Sequence, residues 1–456
     1  MHFGLEGFLG LALYISLIAA TLLSVFWRPI TGIYYLAALI PLQTLRYHLN
    51  AYPLGGSMVG IIIVAVAVGI LRKGGSILPK TPWTKLLLFY IFFTFLSLCL
   101  GSFYLDRPLP LPGDARFGVW QDYMTMPALL FVVAGLRPTQ TEIRNLLIVM
   151  CLSTFVLDKG FWDTVSGRDF STYNAELRDE GNMGYAGTNG LAAYEAQFAT
   201  FLIALASYET KFWFRLGYYV LSGFSALCLM YSLSRGGYAA LLVGWLFLGI
   251  VKQRKLLVFL LLFALSWTSL VPRAVQQRVM MSYDGKSGQL DHSAETRIEL
   301  WTDAIVVFRS SPVLGTGFNT YAYMHRAMGS FGGYYQDTHN IYLKFLLETG
   351  VVGILLFVWL LIKTFYSGFR LFLRAQTPLF AALGLGLAVW VLCAAVANAF
   401  GDRWTFLQVN GYMWILAGLV SEGFVFESTV SAEASEKDAT TQQFDNFDFA
   451  HDQVTS

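Results

Sequence analysis

Long apolar runs constrain the fold of this 456-residue chain more than any other feature. A helix that crosses a hydrocarbon core about 30 Å thick needs roughly 20 apolar residues, and the chain contains many runs of that kind. Only 13% of its residues are Asp, Glu, Lys or Arg, against about 25% in soluble domains. So little charge cannot cover a water-facing surface of this size. The sequence therefore predicts a membrane protein and excludes a disordered chain, a coiled coil and a collagen-like fibre.

Thirteen segments are candidate transmembrane helices, and two of them, 30–45 and 121–136, are short for a span. The full set is 5–26, 30–45, 56–71, 84–104, 121–136, 143–158, 188–207, 212–231, 235–251, 255–271, 342–362, 378–399 and 404–426. A membrane β-barrel would show alternating segments of about ten residues instead of continuous runs. The predicted fold class is all-α, a polytopic transmembrane bundle of 12–13 helices with a large, partly helical outer loop.

The basic residues orient this bundle, because Lys and Arg accumulate in cytoplasmic loops. One set of loops, which includes the basic turn 252–255, carries most of them. The short loops of the other set contain few, namely Arg46, Arg107, Arg116, Arg235 and Arg403. The first set is therefore predicted to be cytoplasmic, and the two long segments 159–187 and 272–341 are predicted to lie on the outer face.

These loops divide the chain into five predicted parts. They are N-terminal transmembrane helices (1–158), an outer loop with central transmembrane helices (159–271), an outer catalytic loop (272–341), C-terminal transmembrane helices (342–426) and an acidic tail (427–456). The tail has no apolar period, so we expect it to be disordered and cytoplasmic. Within the catalytic loop, 295–308 is predicted to form an amphipathic helix with Ile298, Trp301, Ile305 and Phe308 on one face.

His339 is the strongest candidate for chemistry, because it lies where the outer loop returns to the membrane. An imidazole can accept a proton from a hydroxyl near neutral pH, and Asp337 or Asn340 could orient its ring. Glu348 lies in the same stretch and is counted with them as a supporting residue. The alternative is purely structural: Asp337 or Thr338 caps the following helix, and His339 occupies its first turn.

Two arginines are the candidates for anion binding. Arg235 lies at the outer end of an apolar span beside two glycines, and a charge at that depth is usually partnered or functional; it could instead extend to the lipid headgroups. Arg297 shares a helix face with Trp301, or it pairs with a neighbouring acid on a solvated surface. Because two membrane crossings separate Arg235 from the catalytic loop, Arg235, Arg297 and His339 are predicted to share the outer side. Two guanidinium groups can grip a diphosphate bidentately.

Other site classes find no support in the sequence. The six histidines show no metal-ligand spacing, and the four cysteines each lie inside an apolar run, so we expect no metal site and no cofactor. A net charge of +2 without a basic stripe argues against a nucleic-acid partner. Membrane lipid is instead the expected partner of the apolar helix surfaces.

Several of these motifs together resemble the O-antigen ligase superfamily of bacterial envelope glycosyltransferases. His339-Asn340, nine residues, and then Gly350-x-x-Gly353 is similar to that family's histidine signature. The other similar elements are Ser234-Arg235-Gly236-Gly237, Arg297-x-x-x-Trp301, Pro312-x-x-Gly315-x-Gly317 and Gly187-x-Asn189-Gly190-x-Ala192, so that the resemblance covers roughly 181–362.

The resemblance implies a multi-pass bacterial inner-membrane enzyme of GT-C-like type with its active site facing the periplasm. Such enzymes transfer a glycan from undecaprenyl diphosphate to an acceptor hydroxyl, with inversion and without a metal. His339 would then deprotonate or orient the acceptor, and Arg235 and Arg297 would hold the diphosphate. Lipid A–core is the acceptor of the ligases, but Gly353 is followed by Ile354-Leu355, where ligases often have threonines.

Two alternatives to a ligase follow. Within the same chemistry, the chain could be a Wzy-like O-antigen or exopolysaccharide polymerase or a protein O-oligosaccharyltransferase. In a different class, it could be a transporter of a lipid-linked substrate, with Arg235 as the binding charge.

Overall fold

The chain folds into a helical bundle in a computed structural model that describes residues 5–281, 292–327 and 337–452. In chain order the α-helices are α1 (Leu5–Phe26), α2 (Ile30–Leu39), α3 (Gln43–Tyr47), α4 (Met58–Arg72), α5 (Thr84–Tyr104), α6 (Ala115–Leu136), α7 (Gln140–Val165), α8 (Gly187–Ala206), α9 (Phe212–Tyr231), α10 (Arg235–Val251), α11 (Arg254–Leu270), α12 (Arg273–Met280), α13 (His292–Ser310), α14 (Tyr321–Ala327), α15 (Ile341–Arg374), α16 (Pro378–Ala399) and α17 (Leu407–Asp452). Short 3₁₀ turns cover His48–Ala51, Gly55–Ser57, Ala175–Leu177 and Gly181–Ala186. The predicted all-α multi-pass class is confirmed.

Within the described ranges, nine helices are long and apolar enough by themselves to cross a membrane, or ten if the bent pair α11–α12 counts as one span. The predicted 12–13 spans also include α10, with seventeen residues, and α2, with ten. They further include α8, whose apolar run contains the polar residues Glu195 and Gln197. Pro272 separates α11 from α12, which diverge by 111°, since proline cannot continue a helix.

The centre of the bundle is built by α8 and α16, which are buried along nearly their whole length. A helix that is apolar on all sides belongs in the interior, and α16 meets this description most fully. Trp390 of α16 makes edge-to-face ring contacts with Tyr194 and Phe198 of α8, and Tyr412 of α17 closes the aromatic cluster. This rigid centre carries the first turn of α8 and the last turn of α16 to the same end of the bundle.

The loop helix α13 buries a different face from the one predicted. Leu300, Ala304 and Val307 are buried, and the last two pack with Tyr321 and Leu347, whereas Ile298 and Ile305 are largely exposed. Both residue sets follow a spacing of three and four, so periodicity alone could not distinguish them. The choice of face matters because it directs Arg297 and Trp301 toward the loop that precedes α15.

Helix α17 continues into the acidic tail and runs from Leu407 to Asp452. The disorder and cytoplasmic location of 427–456 stay predictions. The start of the tail is anchored: the buried Glu427 carboxylate accepts the backbone N–H groups of Gln376 and Thr377, both at 3.0 Å, just before α16. Unsatisfied N–H groups at a helix start favour a carboxylate there.

Candidate functional site

A cavity of about 650 Å³ opens at the end of the bundle where α8 and α10 begin and α16 ends. Arg235, Arg297 and His339, the three residues singled out in the sequence, all line it. The remaining wall is formed by Arg178, Asn189, Ala193, Leu233, Ser234, Gly236, Gly237, Arg278, Thr296, Ala397, Phe400, Gly401 and Arg403. The structure therefore brings together side chains that are up to 104 positions apart in the predicted set, from Arg235 to His339.

Close packing at the start of α10 places Arg235 in this cavity. Leu233 takes a left-handed conformation with φ of +57°, which turns the chain sharply between α9 and α10. A Cβ on Gly236 would lie 2.8 Å from the Cβ of Phe400, and one on Gly237 would lie 2.7 Å from the Cβ of Ala192. The two glycines thus let the first turn of α10 approach α8 and the end of α16. The N-terminus of α10 faces the cavity, and the dipole of a helix favours anions at its N-terminus.

Asn189, in the first turn of α8, fastens this wall to the outer loop. Its Oδ1 accepts hydrogen bonds from the Ser234 hydroxyl and from Nη2 of Arg178, both at 2.9 Å. The weak Gly–Asn–Ala resemblance around Gly187 and Gly190 therefore corresponds to a residue that ties together two chain segments at the cavity.

The loop helix α13 forms the opposite wall. Nη2 of Arg297 donates to the Phe400 carbonyl at 3.2 Å, and the Trp301 indole donates to the Thr338 carbonyl at 2.9 Å. One turn apart on the helix, the two side chains thus attach α13 both to the end of α16 and to the residue before His339. Trp301 supports the site by fixing the loop rather than by lining the cavity.

His339 lies outside helix α15, in a left-handed conformation with φ of +51°. Asn340 is the N-cap, because its Oδ1 accepts the N–H groups of Tyr342 and Leu343 at 3.0 and 3.2 Å. The Thr338 hydroxyl bonds both the N–H and the carbonyl of Asn340. The alternative in which His339 is part of the first helical turn is therefore wrong. Strained backbone of this kind occurs at functional sites, where surrounding contacts enforce it.

The carboxylate beside the imidazole is Asp402, which the sequence analysis missed. Its Oδ1 lies 3.9 Å from Nδ1 of His339 and 2.5 Å from Nη1 of Arg403. Asp337 and Asn340 have other partners: the carboxylate of Asp337 bonds Lys344, the N–H of Thr338 and the side chain of Asp402, and the amide oxygen of Asn340 caps helix α15. Asp337 therefore contacts the carboxylate that lies beside the ring. The local sequence could not reveal Asp402, which follows α16 more than sixty positions later.

Burial and charge set the protonation of this group. Burial lowers the pKa of His339 below its usual range, nearby Asp402 opposes that effect, and Arg403 and Arg297 add to it. Burial raises the pKa of Asp337 to about 6 despite Lys344. Burial also disfavours ionised Asp402, but Arg403 and Lys344 outweigh it and lower the pKa of Asp402 to about 2. The imidazole is thus neutral near pH 7 beside an ionised Asp402, which favours the tautomer with the proton on Nδ1 and leaves Nε2 to accept a proton.

The glycines of two of these motifs, Gly315 and Gly350, and the side chain of Glu348 brace the site from behind. The Glu348 carboxylate accepts the N–H groups of Asn319 and Tyr321 at 2.9 and 3.1 Å, away from the cavity. At Gly350 helix α15 is kinked, with φ of +66°, and a Cβ there would lie 2.1 Å from the Val313 carbonyl oxygen. A Cβ on Gly315 would lie 2.3 Å from the carbonyl carbon of Glu348. The two glycine motifs therefore pack against each other and fix where the loop leaves α13.

Three further arginines line the cavity and were not singled out from the sequence: Arg178, Arg278 and Arg403. Nε of Arg403 donates to the Ala186 carbonyl at 3.0 Å, and Arg278 lies over the Tyr173 ring at 5.0 Å. Burial lowers the pKa of Arg178, and Arg278 and Arg235 reinforce this. The only sequence signal for them is that all three lie in segments predicted to face outward.

Five arginines and one histidine therefore surround the cavity, and its described lining contains no Asp or Glu. Such a concentration of guanidinium groups, together with the start of α10, suits a ligand with two or more negative charges. The neutral imidazole at the edge of the same cavity can take up a proton. The arrangement can thus bind a diphosphate and assist the attack of a hydroxyl on a group attached to it.

Fold and site together define a multi-pass membrane protein with an anion-binding, proton-accepting cavity at one end of its helical bundle. Residues 220–358 match the family model described as O-antigen ligase. This match confirms the resemblance to the O-antigen ligase superfamily and supports a ligase- or polymerase-type membrane enzyme. A comparison with curated proteins gives no match. The matched segment includes Arg235, Arg297 and His339, whereas Arg178 and Arg403 lie outside it.

Proposed function

We propose that the protein is an inner-membrane glycosyltransferase that moves a glycan from undecaprenyl diphosphate to the hydroxyl of an envelope acceptor, such as lipid A–core. The cavity faces the periplasm in this proposal, because the basic loops of the chain lie at the other end of the bundle. The observation that carries it is the convergence of His339 and five arginines on a single cavity with no carboxylate in its described lining.

The proposed reaction is a single displacement at the anomeric carbon. Nε2 of His339 accepts the proton of the acceptor hydroxyl while its oxygen forms a bond to that carbon. The bond between the anomeric carbon and the diphosphate oxygen breaks, and its electron pair stays on the leaving diphosphate. Arg235 and Arg297, joined by Arg178, Arg278 and Arg403, stabilise the growing negative charge. Displacement from the opposite side inverts the anomeric configuration.

The positive charge for leaving-group stabilisation comes from guanidinium groups in this proposal, which is why we infer a metal-independent reaction without a cofactor. Each arginine can present two parallel N–H donors to phosphate oxygens. Arg235 also sits where the dipole of α10 favours an anion.

The test compares transfer with donor binding in variants of two residues of the same cavity. His339→Ala should lower transfer by at least about 100-fold, the usual contribution of a general base, while retaining the lipid-linked donor in a pull-down from membranes. Arg235→Ala should weaken donor retention as well as transfer. Arg297→Ala should weaken donor retention by about 1.5–3 kcal/mol, typical of hydrogen bonds to charged groups.

The exposed Asp169→Asn substitution on the outer loop serves as a control and should leave both readouts unchanged. A transporter would show the reverse pattern, with movement of the lipid-linked substrate surviving His339→Ala but not Arg235→Ala. Full transfer activity in the His339→Ala enzyme would contradict the proposed function.

A further inference from the structure

A second surface with polar and aromatic groups adjoins Arg403, which also lines the cavity. Arg403 is shared by both: Nη1 bonds Asp402, and the guanidinium lies over the Phe406 ring at 5.0 Å from its centre. The Phe406 ring meets Tyr185 edge to face at 5.2 Å. Tyr185 is 61% exposed although it sits in a folded turn. An aromatic surface thus starts in direct contact with Arg403, the residue that bonds Asp402 beside His339.

The turn that carries Tyr185 is braced from beneath. Gly184 has a φ of +65°, and a Cβ there would lie 2.6 Å from Oε1 of Gln43. The Gln43 amide donates to the Tyr47 hydroxyl at 2.9 Å, and Gln408 donates to Gln43 at 2.8 Å. These contacts hold the Tyr185 ring outward at a defined position, which reduces the entropy lost when a ligand stacks on it.

Arg46 provides the polar part of this surface. Its Nε and Nη2 atoms are buried and have no hydrogen-bond partner among the described residues. Burial lowers the pKa of Arg46, and the charges of Tyr185, Tyr47 and Asp122 act in the opposite direction. Buried donors of a charged group are costly when unsatisfied, so a ligand that offers oxygen acceptors at this point would be bound favourably.

The chemistry of the surface differs from that of the cavity. The cavity has arginines and no described carboxylate, whereas here Asp122 lies within electrostatic range of Arg46. A carboxylate disfavours a phosphate but accepts hydrogen bonds from hydroxyls. Exposed rings of Tyr185 and Tyr47 suit an apolar face. A ligand with an apolar C–H face and a rim of hydroxyls that both donate and accept fits all of these groups, and that ligand is a pyranose.

We propose that Tyr185, Tyr47, Arg46 and Asp122 form a pyranose-binding subsite, defined here as the Arg46 subsite, which holds a sugar next to the reacting one. The inference rests on the proposed function and deepens it, because it assigns residues to the glycan rather than to the diphosphate. The glycan bound there belongs either to the acceptor or to the donor. Both present pyranose rings, and the experiment distinguishes them.

Direct binding tests the subsite without relying on turnover. The purified protein in detergent is titrated, with saturation-transfer NMR as the readout, with two probes: core oligosaccharide released from lipopolysaccharide, and repeat-unit oligosaccharide released from its diphosphate. Tyr185→Ala should weaken binding of one probe by about tenfold, the upper range for a lost aromatic contact. Tyr185→Phe should keep the affinity within about twofold, because the ring is retained. Loss of core binding assigns the acceptor; loss of repeat-unit binding assigns the donor.

A matched control separates stacking from membrane anchoring, since tyrosines also gather at membrane interfaces. Tyr104, at the end of α5, is also exposed, at 38%, and lies toward the same predicted face. Tyr104→Ala should leave the binding of both probes unchanged. In transfer assays, Tyr185→Ala should raise the KM for the same glycan with kcat nearly unchanged, whereas an anchoring residue would lower thermal stability without changing KM.

Three results would overturn the subsite: neither probe binds the wild-type protein, Tyr185→Ala leaves both affinities unchanged, or Tyr104→Ala weakens binding as much as Tyr185→Ala. The proposed function fails on a different observation, full transfer in His339→Ala, which does not affect the binding measurement. The two failures are therefore distinguishable.

Discussion

The pair formed by His339 and Asp402 makes a quantitative prediction about pH dependence. His339 can act as a base only when it is neutral, so kcat/KM should rise with pH through the pKa of its imidazole. In the wild-type protein burial already lowers this pKa, and Asp402 partly restores it. Asp402→Asn removes that opposing charge, so the pKa of His339 should fall further and the rising limb should move to lower pH.

The distance gives the size of the shift. Two unit charges about 4 Å apart interact by about 1 kcal/mol in water and about 4 kcal/mol at an effective dielectric constant of 20. One pKa unit corresponds to about 1.4 kcal/mol. The side chain of His339 is 32% exposed and Nδ1 lies 3.9 Å from Asp402, so solvent screening favours the lower end. We therefore expect the rising limb of the kcat/KM profile of Asp402→Asn to lie about one pH unit below that of the wild-type protein.

The same substitution should also lower the plateau rate, because Asp402 favours the tautomer that presents Nε2 to the acceptor. Asp-to-Asn changes at a directly bonded Asp–His pair cost about 10⁴-fold, and the separation here is too long for such a bond. We expect a fall of about ten- to a hundredfold in kcat. Freed from Asp402, Arg403 would depress the pKa of His339 still further, so this side effect acts in the predicted direction.

The assay measures initial transfer rates at limiting donor across the acidic and neutral range for wild-type protein, Asp402→Asn and the outer-loop control Asp169→Asn. The control should reproduce the wild-type profile. The reasoning is refuted if the limb of Asp402→Asn stays in place or moves to higher pH. It is equally refuted if the residual activity of His339→Ala keeps the wild-type limb.

Two further substitutions test the frame and the wall of the site. Gly350→Ala should destabilise the protein by at least about 1–2 kcal/mol, the cost of a left-handed conformation for a non-glycine residue, and its Cβ would also meet the Val313 carbonyl oxygen. Thermal unfolding in detergent should show a lower Tm for this variant but not for Gly118→Ala, whose Cβ meets no atom within 4 Å. Equal Tm values for the two variants would contradict the bracing role. Arg278→Gln should raise the donor KM by about tenfold or more, the loss of a charged hydrogen bond, while the exposed Arg273→Gln on the same helix should not; an unchanged donor KM would remove Arg278 from the diphosphate site.

Local sequence patterns were sufficient for the class of fold. Apolar runs such as those of α5 and α16 need no partner to be recognised, because the requirement to span a bilayer acts on each helix separately. That requirement is met only in part by α10, which has seventeen residues, and by α8, which carries Glu195 and Gln197 in its buried interior. For such helices, packing against neighbouring helices matters more than hydropathy.

The three main site residues could also be chosen from the sequence, since a charge beside glycines at the membrane edge and a histidine at a loop–helix junction are local features. Their convergence followed from counting membrane crossings. The partners could not be chosen in this way. Asp402 acts on His339 across a gap in sequence of more than sixty residues, and Asp337, its near neighbour, bonds Lys344 instead.

The sequence by itself therefore determined a helical membrane protein and singled out three side chains that line one cavity, because span length and motif spacing are properties of short segments. Only the tertiary structure decided which carboxylate faces the imidazole, which face of α13 is buried and that Arg178, Arg278 and Arg403 share one wall. These features depend on the packing of segments that are distant in sequence. Gly237 and Gly350, for example, allow contacts of a few ångströms with Ala192 and Val313 that no local pattern encodes.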